Sequence, residues 1–140
     1  MWRRPGAVGA SPRPVDGRSA DTVADKGYRI HQNPTRSEIA DARLNTGDTG
    51  DPSKDPDYLI EGHVFDCYSP TPTRAVRGIW TQVSKKVTDS QTQRVVLNLH
   101  DWRGDLTELQ RQFDNWPVTG LKELVAVTRS GSIVQIVRRT

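Results

Sequence analysis

One cysteine, one methionine and two phenylalanines among 140 residues leave this chain without several of the usual supports of a small protein. The lone Cys67 excludes an internal disulfide framework and any zinc site built from several cysteines. No apolar run approaches the ~20 residues that a membrane-spanning helix needs. The N-terminal "MWRRPGAVGASPRPVDG" carries arginines but lacks the apolar stretch of a Sec signal peptide, so no Sec signal peptide is expected in this chain. Hydrophobic residues reach only 34%, and mean hydropathy is −0.69. That deficit is uneven along the chain. A polar tail attached to one folded domain with a modest core explains it better than a uniformly weak core. Net charge is +3, a mild basic balance that suits an anionic partner.

What is present falls into two parts. Residues 1–17 are Gly, Pro, Arg and Ala without periodicity and read as a disordered tail or linker; residues 18–140 read as the folded domain. "RSADTVADKGYRI" (Arg18–Ile30) predicts a short helix with Ser19 as N-cap and Gly27 at its end. Residues 31–56 predict a long loop with a brief helical turn around Glu38–Leu44. "RAVRGIWTQVSKKVTDSQ" places Val76, Ile79, Trp80, Val83 and Val87 on one helical face. "TQRVVLNL" predicts a buried strand, and "GDLTELQRQFDNW" a second amphipathic helix with Asp105 and Glu108 at capping-box spacing. Two closing strands, "LKELVAVT" and "SIVQIVRR", complete an α+β domain with a mixed sheet flanked by helices.

The most specific stretch is "DPDYLIEGHVFDCYS" (Asp55–Ser69). It predicts a hairpin turning at Glu61-Gly62, with Ile60 opposite His63, Leu59 opposite Val64 and Tyr58 opposite Phe65. Asp57 then lies across from Asp66, on one face with Leu59, Val64 and Tyr68. Like charges directly opposed on neighbouring strands repel. A divalent cation between them removes the cost, and hard carboxylate oxygens suit Mg²⁺. The plainer alternative stands beside it: Asp57 ends a loop after Pro56, and Asp66 faces solvent on an edge strand.

Pro56-Asp57 followed by Asp66 also resembles the PD-(D/E)XK nuclease pattern, in which a lysine stands two positions after the second acid. Tyr68 occupies that position here, a departure from the pattern. In some members the lysine moves to the following helix, where "SKK" supplies Lys85 and Lys86. Over a longer span, "GYRIHQNP", "PDYLIEGHVFDCYSP", "VSKKVTDSQTQRVVLNL" and "LKELVAV" together resemble the tRNase toxin domains at the C-termini of CdiA-type contact-dependent growth inhibition proteins.

That resemblance implies a PD-(D/E)XK-like core and a toxin delivered out of the producing cell. It would cleave tRNA in a target cell's cytoplasm and be restrained by a cognate immunity protein. It implies Asp57 and Asp66 as ligands of a divalent metal, Mg²⁺ first and Mn²⁺ or Zn²⁺ as alternatives, and Lys85 as the catalytic lysine. The family's first-helix glutamate has no match: Arg18 stands near its place, and Asp21 is a stand-in. Arg74, Arg77, Lys86 and Arg94 are candidate RNA contacts, and Gln32, Asn33 and Tyr68 candidate substrate-orienting residues.

Two other readings remain open at this point. A metal-independent RNase of the barnase/EndoU/colicin/RelE type would use His63 or His100 as acid or base. An inactivated nucleic-acid-binding or partner-binding module would be consistent with the missing hairpin lysine and first-helix glutamate. Cys67, on the opposite face from Asp66, reads as a small buried hydrophobe, and Trp80 and Trp116 as core residues on helices.

Overall fold

The computed structural model describes residues 15–138, with side chains from Ala20 onward. Most of the expected tail, residues 1–14, lies outside the described residues. The first helix begins earlier than expected: α1 spans Val15–Asp25, so residues 15–17 are helical and Ser19 is interior rather than an N-cap. Gly27, in the left-handed region at φ +93°, lies just beyond its end.

Then come β1 (Ile30–Gln32), α2 (Arg36–Thr46), β2 (Tyr58–Ile60), β3 (His63–Tyr68), α3 (Val76–Thr88), β4 (Arg94–Asn98), α4 (Leu106–Asn115), β5 (Glu123–Val127) and β6 (Ile133–Arg138). The sequence pattern misses β1, a strand of three residues, too short to show alternation. It reduces α2 to one turn, although Thr35 and Glu38 form a reciprocal capping box there. At α4, by contrast, Asp105 caps by accepting from the Thr107 amide rather than through a box with Glu108.

The six strands lie in sequence order in one mixed sheet. The pairs β1–β2, β2–β3 and β5–β6 are antiparallel. The pairs β3–β4 and β4–β5 are parallel, with α3 and α4 as their crossover connections. The expected hairpin register holds at Tyr58–Phe65, Leu59–Val64 and Ile60–His63. Glu61 (φ +50°) and Gly62 (φ +80°) are both left-handed, as a two-residue hairpin turn with the strands' own twist requires. Glu61 tolerates that conformation while tied to Arg29: its amide donates to the Arg29 carbonyl (2.7 Å), and its carboxylate accepts from the Arg29 amide (2.8 Å).

Alternation divides the side chains between the two faces. Ile79 and Val83 of α3, with Leu109 and Phe113 of α4, pack with Val95, Leu97 and Leu124 of the sheet. Each such buried aliphatic contributes about 1.5–3 kcal/mol relative to exposure. On the other face Ala20 and Val23 of α1 cover Ile30, Phe65, Cys67 and Val96. Cys67 is buried there, opposite Asp66, as expected from period 2. Ile39 and Ala42 of α2 pack on Val64, with Leu59 beside them. Asp66, between Val64 and Tyr68 on β3, is buried on the face that α2 and α3 cover. No helix among the described residues is long and apolar enough to cross a membrane.

Candidate active site

Asp57 directly precedes β2, behind the buried Pro56, and its carbonyl accepts from the Asn33 amide at 2.8 Å. Asn33 is itself left-handed (φ +51°) at the end of β1. The two acids are interlocked through the hairpin backbone. The Asp57 amide donates to Asp66 Oδ1 (3.2 Å), and the Cys67 amide donates to Asp57 Oδ2 (2.9 Å). Each carboxylate therefore receives a main-chain N–H from the opposing strand. Those two amides offset part of the repulsion that the sequence raises.

Asp66 is 1% exposed, and an acid so buried needs strong donors. Two reach the same oxygen: Lys86 Nζ and Gln91 Nε2 each lie 2.5 Å from Asp66 Oδ2. The lysine beside the acids is therefore Lys86, from the last turn of α3, while Lys85 is exposed. Successive helical residues differ by ~100°, so only one of two adjacent lysines can face the sheet. Lys86 continues the buried stripe Ile79–Val83 at spacings of four and three.

Gln91 lies just past α3, at a junction to which the sequence assigns no role. Ser90 before it adopts φ +59°, and this turn brings Gln91 back over Lys86. The Gln91 amide donates to the Lys86 carbonyl (3.0 Å), and the Gln91 carbonyl accepts from Arg43 Nη2 of α2 (3.1 Å).

The other candidates are dispersed. Arg74 and Arg77 are exposed at the opposite end of α3, and the nine helical steps from Arg77 to Lys86 cover about 13.5 Å. Arg94 is not an open phosphate contact. Its guanidinium binds Asp48 Oδ2 through Nε (2.8 Å) and Glu123 Oε1 through Nη1 (2.5 Å), and its side chain is 12% exposed. Gln32 pairs with Tyr58 in the β1–β2 ladder. Tyr68 packs beside the α3–α4 core cluster on Asp66's face. Trp80 packs against that cluster as expected, whereas Trp116 is 64% exposed at the end of α4.

The histidines serve three separate carboxylates: His31 meets Glu38 (3.2 Å), His63 meets Asp48 (3.2 Å), and His100 lies 4.0 Å from Asp101. Among the described residues no group of three or more His, Cys, Asp and Glu is arranged to hold a metal.

A second charged centre lies at the β4–β5 edge of the α2–β2 loop. Asp48, 6% exposed, accepts from Arg94, from Lys122 Nζ (2.9 Å) and from His63 Nδ1 (3.2 Å). Burial alone would push its carboxyl up, but these three donors outweigh it and hold it well below the usual range. Nothing in the local sequence around Asp48 signals this centre, because its donors come from β3, β4 and the start of β5.

Residues 54–133, from just before Asp57 to the start of β6, match the model of the contact-dependent growth inhibition CdiA C-terminal domain. The chain is 35% identical over 121 residues, 86% of its length, to the tRNA nuclease CdiA-2 of Burkholderia pseudomallei strain 1026b. It spans only 3% of that protein's length. A CdiA-CT/CdiI toxin and immunity complex from Burkholderia pseudomallei contains a chain with the same fold. The TM-score is 0.69 at 29% identity, and 96% of each chain is covered.

Proposed function

The chain belongs to the contact-dependent growth inhibition CdiA C-terminal domain family, and from that premise we propose that it is an endoribonuclease toxin that cleaves tRNA. The observation that carries the chemistry is the interlocked Asp57–Asp66 pair with the Lys86 ammonium on its buried member. The named relatives, a tRNA nuclease and a toxin bound to its immunity protein, support tRNA as substrate and a cognate immunity protein as partner. Delivery to a target cell and action in its cytoplasm follow from the same family reading.

The residues present fit a Mg²⁺-type ion. Two carboxylates on neighbouring strands are hard oxygen donors, and Mg²⁺ takes one or two of them while substrate phosphate and water complete its shell. The donor set does not fit zinc, which takes three or four protein ligands rich in His and Cys. Asp57 and Asp66 would hold the ion. When bound, it supplies an acidified water and charge neutralisation at the phosphate.

The chain's own groups set up the rest. The Cys67 and Asp57 amides fix the orientation of the two carboxylates. Lys86 holds positive charge at Asp66 Oδ2, where it can steady a phosphate oxygen as negative charge develops. The catalytic lysine is thus Lys86 rather than Lys85. A lysine that reaches the second acid from the following helix supports a PD-(D/E)XK-like arrangement in which Tyr68 has replaced the strand lysine. Arg74, Arg77 and Lys85 are left as exposed cations for the RNA backbone.

Expression of residues 15–140 without a partner tests this directly. Growth arrest with discrete tRNA fragments is expected, abolished by co-expression of the immunity protein. Normal growth with intact tRNA at good expression would contradict the proposal.

A further inference from the structure

Gln91 reaches the site through its side chain, while its backbone closes the C-terminal turn of α3 and is held from α2. Its side-chain amide donates to Asp66 Oδ2, the oxygen that also accepts from Lys86 Nζ. Its main-chain amide donates to the carbonyl of Lys86 itself. Its carbonyl is held by Arg43 from α2 (3.1 Å).

The turn that delivers Gln91 is costly to form. Ser90 stands in the left-handed region without being glycine, and Arg43 Nε is buried with no hydrogen-bond partner. The Asp51 amide on the Ser90 carbonyl (2.7 Å) and the Arg43 contact hold the turn in place. Thus α2 and the loop after it hold the turn after α3, and from that turn Gln91 joins Lys86 at one carboxylate oxygen of β3.

The charged groups around Gln91 are Asp66 and Lys86 at its side chain, Arg43 at its carbonyl, and Asp57 across the hairpin. An amide suits this place because it does not titrate. A second lysine would compete with Lys86 for the oxygen, and an acid would repel Asp66.

We propose that Gln91 is a positioning residue of the nuclease site, holding the Asp66 carboxylate in the one orientation that serves both Lys86 and the substrate. This role rests on the nuclease reading above. It acts through Asp66 and Lys86 and requires no contact between Gln91 and RNA.

Two variants of the full chain test it, Gln91→Leu and Gln91→Glu, with circular dichroism and immunity-protein binding as checks of the fold. Gln91→Leu keeps much of the side chain's length and removes the donor. A fall in kcat for tRNA of about 10–50-fold is expected at every pH, with KM within about two-fold, for a lost charge-assisted hydrogen bond and its geometry. Gln91→Glu is expected to lose more than 100-fold near pH 7.5, where two carboxylates face each other.

Nitrogen-15 NMR of the Lys86 ammonium supplies a readout that needs no RNA: its signal should shift in both variants, because Gln91 and Lys86 share Asp66 Oδ2. Equal losses in the two variants, a change in KM alone, or an unchanged Lys86 signal in both would overturn the proposal. A wild-type protein that cleaves no tRNA while the Lys86 signal shifts in the variants would overturn the nuclease reading and leave the Gln91–Asp66 contact standing.

Discussion

Asp48 and Asp66 are both almost fully buried carboxylates on this small domain, and they are neutralised in different ways. Asp48 meets two permanent cations, Arg94 and Lys122, with His63 beside them, and Arg94 is tied in turn to Glu123. Asp66 meets one ammonium, and its remaining partners are neutral amides of Gln91 and Asp57. The first centre closes on itself and fastens the α2–β2 loop to the ends of β4 and β5. The second places the acid of the opposing strand at hand, joined through backbone rather than through counter-charge. Charge saturated by cations holds a fold together; the Asp57–Asp66 pair, with a single ammonium, is the one proposed to serve a cation and a phosphate. Substitutions at the two centres should therefore fail in different ways.

The largest effect is expected at the second centre. Asp57→Asn keeps the side-chain size and removes a carboxylate, and tRNA cleavage should fall at least 1,000-fold, ~4 kcal/mol of transition-state stabilisation. Single-turnover rates at saturating enzyme measure this; a loss below ten-fold would remove Asp57 from the chemistry. The adjacent lysines sharpen the same point. Lys86→Gln should lose about 100-fold in kcat, whereas Lys85→Gln should stay within about three-fold, its effect confined to a shallower salt dependence of binding. The reverse ranking would return the catalytic role to Lys85.

At the first centre the loss should appear in stability. Asp48→Ala leaves Arg94 and Lys122 without their shared carboxylate, and breaking such a buried pair costs about 3–5 kcal/mol. Urea denaturation should report that loss, while kcat per folded molecule stays within a few-fold. A variant as stable as wild type would show that the network does not anchor the loop. The pH dependence has a definite sign. The Asp48 carboxyl is held below its ordinary value, so its contribution is fully present above about pH 4 and is lost as pH falls through the lower folded value. Wild type should thus lose stability steeply below pH 4, and Asp48→Asn should show a flatter acid limb. The smallest effect is expected from the N-terminus: deleting residues 1–14 should leave the melting midpoint and cleavage rate unchanged within error.

The same two centres mark what the sequence could and could not reveal. The Asp57–Asp66 opposition was legible because a two-residue turn ending in glycine fixes hairpin register, and register fixes which side chains meet. The choice between Lys85 and Lys86 was open to the same kind of reasoning, since only Lys86 extends the Ile79–Val83 stripe. The family resemblance pointed to Lys85 instead. Gln91 was out of reach, because its role depends on a left-handed Ser90 that no propensity predicts. The Asp48 network joins residues 46 and 74 positions apart, and no local pattern encodes such pairings. The strand β1 escaped for a simpler reason: three residues hold barely one period of alternation.

The most direct test of the central claim is single-turnover cleavage of tRNA by Asp66→Asn in Mg²⁺, run beside Asp48→Asn after both are shown to bind the immunity protein. Asp66→Asn is expected to yield no fragments above background, while Asp48→Asn, less stable but folded at the assay temperature, cleaves within a few-fold of wild type. Cleavage by Asp66→Asn at the wild-type rate would contradict the assignment of the hairpin acids as the site of chemistry.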